Sequence, residues 1–326
     1  MEAPYNNISF SSFTELGEND SYLPSAPSFH LMIALMVVTA AILGLLLNSF
    51  TLLISVFYIQ GDYRHFIANL AVVDIICATL FAFIGYINLT NGRYLSMQVM
   101  TYSALAFYGS FGVMICALVP ISLSRIVAAS KPQAYDKLFS GKRALLVCLL
   151  ADAVPVGLLT AICIAHHDVA KCLFMVYAFV TTIAYILTFL LNFLVFRIVA
   201  RHIHIVQCLL DRTRLLETKQ VALSTLAQAL VPLVCQVPAF LSLSSAILMM
   251  EPWTNGDVIV VTQLWLGISP LLDALITIFI IKEYRIQTTA HFTTIFSGDW
   301  THCGRKKCHH HTSDNRFSVP NSCASV

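Results

Sequence analysis

Three carboxylic acids stand inside long apolar stretches of this chain of 326 residues: Asp74, Asp152 and Asp273. An acid at the centre of a bilayer costs about 2.5 to 3.5 kcal/mol on insertion scales, so it normally faces the interior of a helix bundle and a polar partner. We expect Asp74 and Asp273 to meet Asn48, from another apolar stretch, in an intramembrane polar cluster. That cluster would be either a hydrated switch holding a cation or a shared proton, or a static polar patch. The sequence offers Asp152 no partner.

The overall composition indicates that these acids belong to an integral membrane protein. Hydrophobic residues make up 58% of the chain and charged residues 11%, whereas soluble domains carry about 25% charged residues. A water-facing surface cannot be built from so few charges. Disordered chains, coiled coils and nucleic-acid-binding proteins need still more charge, so the composition excludes these classes, and we expect no nucleic-acid partner.

Seven apolar segments are long enough to cross a bilayer as helices, because a hydrocarbon core of about 30 Å requires roughly 20 residues. The predicted fold class is therefore an all-α membrane protein, with a bundle of seven transmembrane helices at residues 31–281. We number the predicted spans in chain order: 31–59, 66–87, 97–124, 144–165, 172–196, 221–249 and 258–281.

Lysine and arginine counts indicate the orientation of the bundle, because cytoplasmic loops carry an excess of these residues. Only Arg93 and Lys171 lie on the side of the N-terminus, and the other 17 of the 19 lie on the opposite side. We therefore expect an extracellular N-terminus and a cytoplasmic C-terminus in the plasma membrane. Three glycosylation sequons begin at Asn7, Asn19 and Asn88, all on the expected outer side.

Polar tails flank the bundle at both ends. Residues 1–30 are the expected extracellular tail, and residues 282–326 are the expected cytoplasmic tail. We predict a short interfacial helix after the seventh span, at residues 283–296, followed by disorder. Four apolar side chains of this helix are expected to face lipid: Ile286, Phe292, Ile295 and Phe296.

Short motifs in the spans resemble those of rhodopsin-like G-protein-coupled receptors. The family patterns are N-L-A-x-x-D in the second span, D-R-Y at the end of the third, C-W-x-P in the sixth and N-P-x-x-Y in the seventh. The corresponding elements here are Asn48 in the first span, NLAVVD at 69–74, SRI at 124–126 with Pro132 after it, CQVP at 235–238, and DALIT at 273–277 followed by KEYR at 282–285.

Two longer stretches resemble nematode serpentine chemoreceptors, particularly those of the Str type. Residues 228–238 are similar to their sixth helix, and residues 270–285 are similar to their seventh. The loop at 132–140 also resembles related nematode classes. The resemblance covers the seven spans and neither tail, and it implies a chemosensory receptor that activates a heterotrimeric G protein.

This resemblance implies roles for several residues near the cytoplasmic side. Arg125 would meet the C-terminus of a G-protein α-subunit once the sixth helix moves outward, although a snorkelling anchor is the simpler interpretation. Pro232 and Pro238 remove helix hydrogen bonds and would provide the hinge. Ser124 stands where the family has an acid, and Glu217 would substitute as the restraint on Arg125.

The same resemblance implies a ligand pocket in the outer half of the bundle. Phe107 precedes Arg125 by five helical turns, or roughly 27 Å, which is pocket depth in this architecture. Aromatic rings and amides without an acid favour a neutral or weakly polar small molecule over an amine, although core packing explains each residue equally well. The predicted lining is Phe107, Tyr108, Phe111, Gln236, Phe240 and Gln263.

Other classes of membrane protein fit the sequence less well. The alternative to a receptor is a multi-span transporter or channel, but internal repeats and a chain of ionisable groups are missing from the sequence. A membrane enzyme would need clustered ligands or a nucleophile motif, and residues 166–168 are more simply a solvated loop. We therefore expect no enzymatic activity, no metal and no cofactor.

Met100 stands where the family has a cysteine, which leaves Cys172 without its usual partner.

Overall fold

The computed structural model describes residues 27–59, 63–90, 95–202, 219–220, 222–231, 234 and 256–297. These residues form helices and short turns, and no strand occurs among them. Six helices are long and apolar enough to cross a membrane, which confirms a helical membrane protein. They are Pro27–Phe57, Tyr63–Thr90, Met97–Ser130, Lys142–Ile164, His167–His202 and Gly256–Ile280. These helices correspond to the first five predicted spans and the seventh.

The sixth predicted span, 221–249, lies mostly outside the described residues. Its first part forms the apolar helix Ala222–Val231, which we call the start of the sixth helix. The bundle of seven transmembrane helices therefore stays a prediction at this position. Glu217, Gln236, Pro238 and Phe240 are outside the described residues.

Several helices extend beyond the predicted spans. The third helix continues past residue 124 to Ser130, and the fifth continues past residue 196 to His202. A hydropathy criterion ends a span at its first cationic side chain, whereas the backbone stays helical while long cationic side chains reach the headgroup region. The predictions located the apolar runs correctly and underestimated the helices that contain them.

Two shorter helices accompany the long ones. Pro132–Leu138, the connecting helix, joins the third helix to the fourth, where the sequence suggested a loop. Its proline occupies the first turn, a position that needs no amide hydrogen and favours helix initiation. Lys282–Ser297, the C-terminal helix, agrees with the helix predicted at 283–296. Ile286, expected to face lipid, is exposed there.

A buried tyrosine anchors the C-terminal helix. The Tyr284 hydroxyl lies 2.7 Å from Ser55 Oγ of the first helix, and burial raises the pKa of its phenol. Tyr284 is therefore a neutral hydrogen-bonding group at physiological pH. His291, further along the same helix, contacts the ring of Tyr58 edge-on at 4.5 Å between centroids. The C-terminal helix thus packs on the first helix at two points.

The third helix occupies the centre of the described bundle. It contacts the second, fourth and fifth helices, while the first helix contacts the second and the seventh. Large side chains of the third helix, including Phe107, Ile115 and Ile121, are fully buried. The fourth helix instead exposes a row of leucines, namely Leu145, Leu146, Leu149 and Leu150. An apolar outer surface of this kind suits lipid, which is as apolar as leucine itself.

Candidate functional site

Asp74 and Asp273 are buried together between the second and seventh helices. Their side chains are 1% and 3% exposed, and they lie near enough to interact electrostatically. One oxygen of each, Oδ1, is buried without a hydrogen-bond partner among the described residues. Two carboxyl groups in this setting will not both be ionised unless a cation or water compensates them, because like charges repel strongly at low dielectric.

Asn48 joins the first helix to the seventh beside these acids. Its amide nitrogen donates to the carbonyl oxygens of Pro270 at 2.8 Å and Gly44 at 3.0 Å. These bonds differ from the expected contact with the carboxyl groups, because the two helices approach closely enough for backbone to be reached. A Cβ atom added to Gly44 would lie only 3.1 Å from the backbone nitrogen of Leu271.

Gln228 connects the start of the sixth helix to the seventh. Its amide nitrogen donates to Thr277 Oγ1 at 2.7 Å and to the carbonyl oxygen of Asp273 at 3.3 Å. Gln228 is fully buried, and its Oε1 has no partner among the described residues. From the sequence, Gln228 stands out only as the first residue of the stretch similar to the sixth helix of nematode receptors, although a glutamine in an apolar run is itself a signal of an interhelical bond.

Asp152 has a partner that the sequence analysis missed. Asn69 of the second helix donates from Nδ2 to Asp152 Oδ2 at 2.8 Å. Asp152 Oδ1 is buried without a partner among the described residues. Asn69 was noticed only as the first letter of the second-span motif, yet it is a polar residue in an apolar span, as Asp152 is. This pair ties the second helix to the fourth.

Arg125 is almost fully buried at the end of the third helix. It is 7% exposed, and its guanidinium carbon lies 5.4 Å from the centroid of the Tyr63 ring. Cation–π contacts of this kind contribute about 0.5 to 2 kcal/mol. The neighbouring Ser124 hydroxyl donates to the carbonyl oxygen of Ile121 at 2.7 Å. Ser124 therefore bonds to its own helix.

A second polar contact lies one turn from Arg125. Asn192 of the fifth helix donates to Ser122 Oγ at 2.8 Å and to the carbonyl oxygen of Thr188 at 2.9 Å. Asn192 and Ser122 are both fully buried. The bond ties the third helix to the fifth, and neither residue was singled out from the sequence.

A tyrosine of the fifth helix enters a notch in the third. The Tyr177 hydroxyl accepts a hydrogen bond from the backbone amide of Gly112 at 2.9 Å and donates to the carbonyl oxygen of Gly109. A Cβ atom on Gly112 would lie 2.1 Å from that hydroxyl, which is sterically impossible without movement. The glycine therefore creates the space that the phenol fills.

The predicted pocket residues of the third helix are packed side chains. Phe107 is fully buried and contacts Phe81 edge-on, with 5.0 Å between ring centroids. Phe111, one turn further along, is 6% exposed. The side chain of Tyr108, like Gln236 and Phe240 as a whole, lies outside the described residues.

Gln263, the remaining predicted pocket residue, bonds to a predicted glycosylation site. Its Oε1 accepts from Asn88 Nδ2 at 2.7 Å, which joins the ends of the second and seventh helices. The other two sequon asparagines, Asn7 and Asn19, lie outside the described residues. Cys172 is an exposed free cysteine. Within the described ranges, no three histidine, cysteine or acidic side chains form a group that could hold a metal ion.

No protein-family model matches this chain, and no curated protein sequence is recognisably similar to it. The class of the molecule therefore follows from its own fold and contacts. It is a helical membrane protein in which buried polar side chains join neighbouring helices at several levels.

Proposed function

We propose that this chain is a G-protein-coupled receptor of the plasma membrane, with a chemosensory role and a likeness to nematode serpentine receptors. The observation that carries the proposal is the polar cluster between the first, second, sixth and seventh helices, where Asp74, Asp273 and Gln228 each keep one oxygen without a partner among the described residues. A receptor needs two helix arrangements of similar free energy. Buried groups with spare hydrogen-bonding capacity exchange partners at low cost, which suits such a switch.

Coupling to a G protein would depend on Arg125 at the predicted cytoplasmic side. Its contact with the Tyr63 ring is worth about 0.5 to 2 kcal/mol, which a bound α-subunit would readily replace. Outward movement of the sixth helix would break the two bonds from Gln228 to the seventh helix. Interhelical bonds in membranes average about 0.6 kcal/mol, so breaking these two bonds costs little.

The ligand would be a neutral or weakly polar small molecule from the extracellular side. Phe107 and Phe111 of the third helix are buried among their neighbours, so a ligand would have to displace packed side chains to reach them, and the Asn88 and Gln263 amides supply polar groups on the second and seventh helices. An amine would need a carboxylate at this level, and the predicted lining contains none. The lipid bilayer is the second expected partner, and no enzymatic activity or cofactor is part of the proposal.

A comparison of two activities in the same cells tests the receptor against the alternative, a transporter or channel. Cells expressing the chain with a heterotrimeric G protein are exposed to a panel of neutral small molecules, and guanine-nucleotide exchange and ion current are both recorded. We expect exchange without current, and loss of exchange in Arg125→Ala. Arg201→Ala, which removes an exposed cation from the end of the fifth helix, is the matched control and should retain it. Current or flux without exchange would refute the receptor proposal.

A further inference from the structure

A groove with a volume of about 590 Å³ runs along the connecting helix. The described residues of its lining are Lys131, Gln133, Ala134 and Lys137, and these four contribute two ammonium groups, one amide and no acid. Both lysines are exposed. The volume falls within the range of about 300 to 1,000 Å³ that is typical of small-molecule sites. The groove is therefore a basic surface large enough for a small anionic group.

Packing on the opposite side of the connecting helix fixes the orientation of this groove. Phe139, just after the helix, is 3% exposed. Its ring lies 6.0 Å from the ring of Phe66 in the second helix and 5.8 Å from that of Tyr135. Because these aromatic side chains anchor one side of the segment to the bundle, the side that carries Lys137 is turned away from it.

A third cation is held at the far end of the connecting helix. Arg143 donates from Nη1 to the backbone carbonyl of Lys137. This bond brings the guanidinium next to Lys137, which lines the groove. Arginine in a defined position is well suited to phosphate, since its planar donors match phosphate geometry.

The groove must lie at a bilayer surface if the long helices cross the membrane. Lys131 directly follows the third helix, and Lys142 begins the fourth. Both helices are long and apolar enough to span a bilayer, so the segment between them is at headgroup level. Anionic phospholipids are enriched in the cytoplasmic leaflet, the side on which the charge count puts this segment.

We propose that this groove binds the headgroup of an anionic phospholipid that carries more than one phosphate. Lys131, Lys137 and Arg143 would contact the phosphates, and the Gln133 amide would donate to a hydroxyl or phosphate oxygen. This site is independent of receptor activity, because it depends only on the groove, its depth in the membrane and the predicted cytoplasmic side.

Lipid binding to the purified full-length protein tests the proposal. Protein in detergent is titrated with phosphatidylinositol 4,5-bisphosphate, phosphatidylserine or phosphatidylcholine, and bound lipid is counted by native mass spectrometry. Each cation near an anionic surface changes affinity about fivefold, so Lys131→Gln with Lys137→Gln should weaken bisphosphate binding roughly thirty-fold. Lys131→Arg with Lys137→Arg should retain it. Soluble inositol trisphosphate should compete, which separates recognition of the headgroup from partition of the acyl chains.

A matched control removes two exposed cations elsewhere on the same predicted side, by Arg201→Gln with Lys282→Gln. This variant should lose less than about threefold in affinity, since it leaves the groove intact. Equal losses of affinity in the two double variants would overturn the proposal, because the lipid would then be held by the overall positive charge of this side and not by the groove. Equal binding of phosphatidylcholine and the bisphosphate would also overturn it. So would unchanged lipid binding with lost G-protein binding, because the groove would then be a protein-docking surface.

Discussion

The bond between Asn69 and Asp152 gives the sharpest prediction for the stability of the fold. Asn69→Leu removes the only described donor to Asp152 Oδ2, and Oδ1 is already buried without a described partner. The variant loses one interhelical bond, worth about 0.6 to 2 kcal/mol, and leaves a carboxyl group without compensation. We therefore expect a destabilisation of roughly 1 to 2 kcal/mol.

Two further variants separate the bond from the acid. Asp152→Asn keeps an oxygen that accepts from Asn69 and removes the ionisable group, so we expect unchanged or higher stability. The double variant Asn69→Leu with Asp152→Leu replaces both partners by apolar groups of similar size, an exchange that is often nearly neutral. Its stability should therefore exceed that of Asn69→Leu alone.

The chain carries its own reporters for this measurement. Cys77, Cys116 and Cys148 are buried thiols in the second, third and fourth helices, and a thiol-reactive fluorophore labels them only as these helices separate. Asn69→Leu should lower the apparent melting temperature in detergent by roughly 2 to 8 °C, since 1 kcal/mol shifts the melting temperature of domains of about 150 to 250 residues by about 2 to 4 °C. Thr160→Val is the control, because this exposed hydroxyl of the fourth helix bonds only to its own turn, at the carbonyl of Val156.

A double-mutant cycle shows whether Asn69 and Asp152 bond to each other. Residues that bond to each other should show a coupling of about 0.5 kcal/mol or more in a double-mutant cycle. If the effects of Asn69→Leu and Asp152→Leu add, the two side chains are not partners in the membrane. The contact between the second and fourth helices would then be held by apolar packing alone.

Three other comparisons between variants test the site. Gly112→Ala should lower the melting temperature more than Tyr177→Phe does. The methyl group of the alanine would collide with the Tyr177 hydroxyl, whereas phenylalanine at position 177 loses only hydrogen bonds. Equal shifts would show that the hydroxyl does not fill the space beside Gly112. Arg125→Ala should abolish nucleotide exchange at unchanged surface expression, measured by antibody labelling of intact cells, and normal exchange would leave Arg125 as an anchor. Ser124→Asp should lower basal exchange, because a carboxylate beside the almost fully buried Arg125 would compensate its charge in the resting state, while Ser124→Asn should not. Equal basal exchange in both variants would contradict a restraint by charge.

Helix positions were predictable from the sequence because apolar length is a local property. Five predicted spans and the seventh coincide with helices, and the helix after the seventh span begins within one residue of its predicted start. The connecting helix was not predicted, because its seven residues include a single aromatic side chain and are too few to show a helical period in hydrophobicity. Helix ends were underestimated because cationic residues end an apolar run without ending a helix.

Side-chain pairing was less predictable, because it depends on the rotation of each helix about its axis. Asp152 and Asn69 lie 83 positions apart, and nothing local to either residue identifies the other. Tyr177 illustrates the same limit, since its partner is backbone that only a glycine leaves accessible. The expectation that Asp74 and Asp273 share one polar cluster came from the cost of an acid in a bilayer, which indicates a polar surrounding but not which atoms meet.

The polar contacts among the described residues differ in which helices they join. The third helix is tied to the fifth through Tyr177 and through Asn192, and Arg125 contacts the start of the second helix. The described start of the sixth helix is joined to the seventh by the two bonds of Gln228. Breaking these two bonds costs about 1 to 2 kcal/mol at membrane values. That amount lies within the few kcal/mol by which a ligand shifts a two-state equilibrium, and breaking these two bonds leaves the polar contacts between the third and fifth helices in place.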